Sequence, residues 1–312
     1  MRPIYSRVPG SKYNIFAFFF FYLYFYPMLL IIGGLHFKNQ RGLEELLRGE
    51  YVYGSMDDIS GYTHIYSPSM PINTSLYPDK FFLFGPHFSF FPDTKLLSVR
   101  NIHHNSVYLL PSQWILDLWT EKNAAVFLPL TIFPFPVDTT TFSPTGQPRE
   151  KVFVYMKHRD PYELAEIEDY LVKNNISYTL FDYGKGYKEA DYLAVLKESK
   201  YGIVLGSYET QGFAIQEALS TDVPLFVWDC RSMLQDYSTV QKDYLCTSVP
   251  YWDDRCGVKV YTLGQFNLEF PSFVSNLATY EPRQFILENL SVGKCRERWN
   301  ALFDTWKTTE VV

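Results

Sequence analysis

Residues 201–229 of this 312-residue chain pass from an apolar run, through a polar stretch holding a glycine, into a helical pattern and back to an apolar run. That order leaves few folds open. Tyr201-Gly-Ile-Val-Leu205 has the length of a buried strand, and Pro224-Leu-Phe-Val-Trp228 has the same character. Between them Phe213, Ala214, Glu217, Ala218 and Leu219 recur at helical spacing over about two turns. The segment therefore reads as strand, loop, helix, strand. Glu209 falls on the loop and Glu217 inside the helix, near the carboxyl end of a parallel strand, the edge at which open α/β sheets bind ligands.

The chemistry of that edge follows from the residue types. Gly212 lets the backbone approach a ligand closely, and the free amides and positive dipole end of the following helix favour a phosphate. Gln211, Gly212, Phe213 and Ala214 form this turn and are expected to contact the ligand. Carboxylates accept hydrogen bonds from adjacent sugar hydroxyls. Phosphate donors beside hydroxyl acceptors suit a nucleotide sugar.

Glu209, seven residues, then Glu217-Ala218, with Gly212 third after the first glutamate and a Pro-Leu-Phe-Val strand behind, resembles the donor-site motif of retaining glycosyltransferases of the GT-B fold, family 4 (glycosyl transferases group 1) in particular. The chain departs from that pattern in Thr210-Gln211-Gly212-Phe213-Ala214, where Gly-Phe-Gly is commoner. The words Leu110-Pro-Ser-Gln-Trp114 and Phe133-Pro-Phe-Pro-Val-Asp138-Thr-Thr-Thr-Phe142 are similar to the end of the first domain and the hinge of the same enzymes. The resemblance implies an α/β protein of two Rossmann-like domains facing a cleft. It divides the chain into an aromatic-rich segment 1–27, an acceptor-side domain 28–142 and a nucleotide-sugar-binding domain 143–312. It further implies transfer with retention, no obligatory metal and no cofactor beyond the donor, with Glu209 orienting the sugar and Glu217 the ribose.

The second domain opens with a strand from Lys151, followed by Lys157, His158 and Arg159. Asp160 has the character of an N-cap, Pro161 suits the first helical position, and Glu163 stands where a capping box places it, so a helix is expected over 161–173. Strand 177–182, helix 189–197 and strand 201–205 complete a doubly wound pattern. Lys157 and Arg159 leave the first strand at the edge that carries Glu209, where two cations neutralise a diphosphate. By resemblance these basic residues stabilise the departing nucleotide diphosphate. A solvated basic turn is the plainer alternative.

The first half alternates helix-like 40–48 with strand-like 50–53, 63–66, 80–84 and 106–110, and Ser112 is placed to cap a helix through Trp119. His87 follows the strand at 80–84; by resemblance it faces the donor sugar, and packing among aromatics is the alternative. Gly33 and Gly34 are either the turn beneath the diphosphate or a tight strand exit. Helices are also expected over 271–277 and 282–290, and Trp299, Leu302, Phe303 and Trp306 form an amphipathic stripe expected to pack on a domain.

Composition narrows the class. With 28 basic and 34 acidic side chains the formal net charge is -6, so bulk attraction to nucleic acid is not expected. Cys230, Cys246, Cys256 and Cys295 lack metal-ligand spacing and read as free thiols, and His103-His104 reads as surface. No Asp-x-Asp occurs, which disfavours the metal-dependent GT-A alternative. Residues 15–35 carry no charge and follow Arg2, Arg7 and Lys12, the pattern of a membrane anchor. Reading 27–32 as the first buried strand is preferred, since inserting it in lipid would remove it from the sheet. The expectation is thus a cytoplasmic glycosyltransferase with a glycan, protein or lipid acceptor. A membrane-associated form and a catalytically inactive nucleotide-sugar-binding or scaffold protein are the alternatives.

Overall fold

The computed structural model describes residues 28–99, 101–102, 105–238 and 242–307. The aromatic-rich segment 1–27 and the His103-His104 pair lie outside these residues. The first half contributes β1 (Leu29–Ile32), α1 (Phe37–Leu47), β2 (Tyr51–Gly54), β3 (His64–Ser67), β4 (Phe81–Phe84), α2 (Thr94–Val99), β5 (Ser106–Leu110), α3 (Gln113–Glu121) and β6 (Leu130–Ile132). The second half contributes β7 (Lys151–Lys157), α4 (Pro161–Lys173), β8 (Thr179–Asp182), α5 (Glu189–Glu198), β9 (Ser199–Gly206), α6 (Phe213–Ser220), β10 (Leu225–Trp228), β11 (Gly257–Val260), α7 (Leu263–Ser275), α8 (Pro282–Asn289) and α9 (Val292–Lys307). The strands form two sheets, ordered β2-β1-β3-β4-β5-β6 and β11-β10-β9-β7-β8, with every pairing parallel.

Parallel strands covered by helices on both faces need apolar side chains in succession, not alternation. Leu29, Leu30, Ile31 and Ile32 are accordingly all buried, so 29–32 forms strand β1. Leu29 and Ile31 face the cluster holding Leu43 and Leu46 of α1, whereas Leu30 and Ile32 face the one holding Ile115 and Trp119 of α3. In the second sheet Phe153 and Tyr155 join Leu196, Ile215 and Leu219, and Val152 and Val154 join Ile167, Phe266 and Phe270.

The last helix returns to the first sheet. Cys295, Trp299 and Phe303 of α9 are buried with Leu29, Tyr66 and Phe133, and Leu302 packs against them, so this part of the amphipathic stripe packs on a domain, and on the earlier one. Three further local expectations are met differently in the structure. Helix α7 begins at Leu263 and carries Pro271 in its interior, because Phe266, Phe270 and Phe273 all anchor it to Phe226. Asp160 caps α4 by accepting from the Tyr162 amide at 2.9 Å, but Glu163 does not complete a capping box; it pairs with Arg159 instead. Likewise Ser112 precedes α3 without a side-chain cap bond.

Candidate functional site

A cleft of about 850 Å³ lies between the two sheets. Its walls are built by residues that follow β1, β4 and β5 in the first half and β7, β8 and β9 in the second, that is, by the carboxyl ends of parallel strands.

Lys157 ends β7, and its Nζ lies 2.8 Å from Oε2 of Glu209. Both side chains are largely enclosed, at 16% and 13% exposure, and the ammonium also sits 4.7 Å from the centre of the Tyr183 ring. The backbone of Glu209 is fixed from two directions. Its amide donates to the Thr247 carbonyl at 3.0 Å, and its carbonyl accepts from Trp114 Nε1 of α3 at 2.9 Å. The ring of Tyr208 packs beside Phe90 and Trp114, with centroids 5.2 and 5.9 Å away. Tyr155 lines the same wall, and burial, and then the Glu209 charge, push its hydroxyl well above its ordinary range.

Three residues on, Gly212 adopts φ +82°, and a Cβ there would stand 3.4 Å from Cβ of Glu209. Glycine is thus the residue that allows α6 to start directly behind the acid. Thr210, Gln211, Gly212, Phe213 and Ala214 line the cleft at the helix N-terminus, whose first amides lack intrahelical partners. The side chain of Gln211 serves another purpose: its Nε2 donates to the Phe135 carbonyl at 2.7 Å and its Oε1 accepts from the Phe135 amide at 3.0 Å, tying the loop to the interdomain linker.

On the opposite wall His87 follows β4. Its amide donates to the Pro68 carbonyl, and its Nε2 accepts from the His36 amide at 3.4 Å, which assigns the proton to Nδ1. Burial, then the neighbouring His36, lowers its pKa, leaving a neutral imidazole at neutral pH. Gly33 takes φ +97°, where a Cβ would come 2.9 Å from Ser69 Oγ, and Gly34 faces open space. Neither lines the cleft; they turn the chain into α1 so that His36, Phe37, Lys38 and Asn39 do.

Two more residues expected at the site stand outside the cleft lining. Arg159 is buried, with Nε and Nη2 on the two oxygens of Glu163 at 2.8 and 2.7 Å and Nη1 on the carbonyls of Gly206 and Trp228 at 3.0 and 3.2 Å. It clamps the carboxyl ends of β9 and β10 and is absent from the cleft wall. Glu217 points from α6 toward α1, where Lys38 Nζ lies 2.5 Å from its Oε1. Lys38 also approaches Glu189 at 3.4 Å, and Arg41 reaches Glu189 at 2.8 Å. Glu217 is only 3% exposed and its Oε2 has no hydrogen-bond partner. Burial pushes its pKa up to about 7 against the opposing pull of Lys38.

The cleft therefore unites Lys157, Glu209, Gln211, Gly212, Phe213, Ala214 and His87, and leaves Arg159, Glu217, Gly33 and Gly34 outside its lining. Lys38, His36, Trp114 and Tyr155 were not evident in the sequence. For Lys38 one signal exists: a lysine in the first turn of a helix opposes the dipole and needs a compensating acid. Among the described residues no His, Cys, Asp and Glu side chains group to hold a metal ion, and no helix is long and apolar enough to cross a membrane.

No protein-family model and no curated protein sequence matches the chain significantly. Solved structures do match. A sucrose-phosphate synthase from Thermosynechococcus elongatus aligns over 90% of this chain and 99% of its own with a TM-score of 0.57 at 10% identity. A GtfA/B complex aligns over 77% of this chain at a TM-score of 0.50 and 10% identity, this chain spanning 56% of that one. The likeness is one of fold: two parallel α/β domains facing a cleft, the GT-B arrangement of glycosyltransferases. It does not single out family 4 within that fold.

Proposed function

We propose that this chain transfers a glycosyl group from a nucleoside-diphosphate sugar to the hydroxyl of a glycan, protein or lipid acceptor, with retention and without an obligatory metal. The reading rests on one observation: the Lys157–Glu209 pair stands at the N-terminus of α6 inside a cleft between two parallel sheets. An ammonium and unpaired helix amides are the groups that stabilise negative charge developing on a leaving diphosphate. As the bond from the anomeric carbon to the phosphate oxygen breaks, its electron pair goes to the diphosphate, the acceptor oxygen bonds to that carbon, and the acceptor proton passes to the departing phosphate. Glu209 orients the sugar, while neutral His87 offers a hydrogen bond across the cleft. Retention and the assignment to family 4 rest on the resemblance of the Glu209 to Glu217 segment alone.

One observation favours binding without turnover: Arg159 is engaged entirely within its own domain. Both readings meet in one assay. The protein is incubated with a panel of nucleotide sugars and acceptors, nucleotide release is read by mass spectrometry, and melting temperature is recorded with each nucleotide. Release upholds transfer; stabilisation without release upholds the binding protein; neither effect overturns both.

A further inference from the structure

We infer that Lys38 of the first domain is the second diphosphate-binding cation of the cleft, held in place by Glu217, so that the two glutamates of the motif each anchor a lysine from opposite walls. The inference rests on the nucleoside-diphosphate reading of the cleft. Lys157 supplies one ammonium, on Glu209 at 2.8 Å. Arg159 cannot supply the other, because its Nε, Nη1 and Nη2 already donate to Glu163, Gly206 and Trp228. Lys38 lines the cleft beside the N-terminus of α1, its side chain 13% exposed.

Glu217 does not line the cleft. Lys38 stands on its Oε1, lining both the cleft and the small void on the Glu217 side, so a ligand meets Lys38 in place of Glu217, with Glu189 of the cleft wall 3.4 Å from the same ammonium. The charged groups around this point are Lys38 and Arg41 from α1, Glu189 from α5 and Glu217 from α6. A lysine at a helix N-terminus is disfavoured by the dipole, and here two acids from the other domain hold it there. A diphosphate lodged between Lys157 and Lys38 then meets one cation and one helix N-terminus from each domain, and its charge draws the two walls together.

Calorimetric titration with uridine, guanosine and adenosine diphosphates, each beside its bare nucleoside, tests this. For the diphosphate that binds, Lys38→Met weakens affinity about tenfold or more, as expected for a charge-assisted contact, and leaves the nucleoside unchanged. Lys38→Arg restores most of the loss. Glu217→Gln also weakens the diphosphate, but adds nothing once Lys38 is Met. In the unsubstituted protein, the bound diphosphate protects Lys38 from acetylation as read by peptide mass spectrometry, a measurement that does not depend on a variant folding. Diphosphate affinity indifferent to Lys38, no protection, or a Glu217→Gln defect that extends to the bare nucleoside overturns the inference while leaving nucleotide binding intact. If no nucleoside diphosphate binds the folded protein, the functional reading falls and takes this inference with it.

Discussion

Lys157 and Glu209 lie 52 positions apart in sequence and 2.8 Å apart in space, brought together because β7 and β9 are adjacent parallel strands. Their carboxyl ends deliver an acid and a base to the same edge. If Lys157 neutralises the leaving diphosphate, Lys157→Met lowers turnover by about two to three orders of magnitude, the scale of losing one oriented stabilising group. Stability falls by about 1–3 kcal/mol through the unpaired Glu209 carboxylate. Steady-state kinetics and urea unfolding measure the two effects separately. A Lys157→Met, Glu209→Gln double variant recovers part of the stability and none of the turnover; recovery of turnover would remove Lys157 from the chemistry.

The buried Glu217 makes stability depend on pH with a defined sign. Its pKa is raised from 4.5 to about 7 in the folded state, so between those values the folded protein binds a proton that the unfolded chain does not. Stability contributed by this group is therefore present at low pH and lost as pH rises toward 7. The shift corresponds to about 3 kcal/mol in all. Comparing unfolding free energies of the parent and Glu217→Gln at pH 5 and pH 8 isolates it, since the other titrating groups cancel. The variant should gain on the order of 2 kcal/mol relative to the parent between the two values; a difference independent of pH would show that Glu217 is ionised throughout.

What the sequence made legible was local. Asp160-Pro161 marks the start of α4, the apolar run read as a strand over 27–32 holds β1 at 29–32, and the Glu209-Gly212-Glu217 spacing places a strand, loop and helix where they stand. What it concealed depends on atoms distant in the chain. Arg159 looked free because, besides Glu163 one helical turn on, its acceptors are the carbonyls of Gly206 and Trp228, 47 and 69 positions away. Lys38 was invisible because its partner Glu217 lies 179 positions on, across the interdomain boundary. A helix stripe such as that of α9 shows that an apolar face must be covered, but not by which sheet.

Arg159 is accordingly expected to act on folding first. Arg159→Met removes the clamp between the ends of β9 and β10, leaving two buried carbonyls without that donor, and costs about 2–6 kcal/mol, at about 1–3 kcal/mol for each carbonyl. Lys157→Met costs less in stability and more in turnover. Equal melting temperatures for the parent and Arg159→Met would return Arg159 to the list of ligand-facing groups.

Gln211 connects the α6 loop to the linker through both polar groups of Phe135, so Gln211→Ala leaves a buried amide and a buried carbonyl unpaired. Each unsatisfied group costs about 1–3 kcal/mol. Glu209 lies two residues away, and the loop that carries it loses its tie to the linker. The variant is therefore expected to melt lower and to bind nucleotide more weakly, with hydrogen exchange rising at 209–214 and 133–137 together. Faster exchange confined to the loop would show that the linker is held by other contacts.

Trp299 lies on α9, yet its ring packs 5.4 Å from Phe133 and 6.4 Å from Tyr66, both in the first half of the chain. It is 5% exposed, and with Phe303 and Cys295 it covers the face of the first sheet formed by Leu29, Ile31 and Leu83. Trp299→Ala is expected to destabilise the protein by about 3–5 kcal/mol, the usual cost of emptying a large aromatic site. Because α9 joins the end of one half to the core of the other, the loss should appear in both halves at once. Hydrogen exchange would show β1 and β3 losing protection along with α8. Retained protection of the first sheet in a folded Trp299→Ala protein would mean that α9 covers it without holding it.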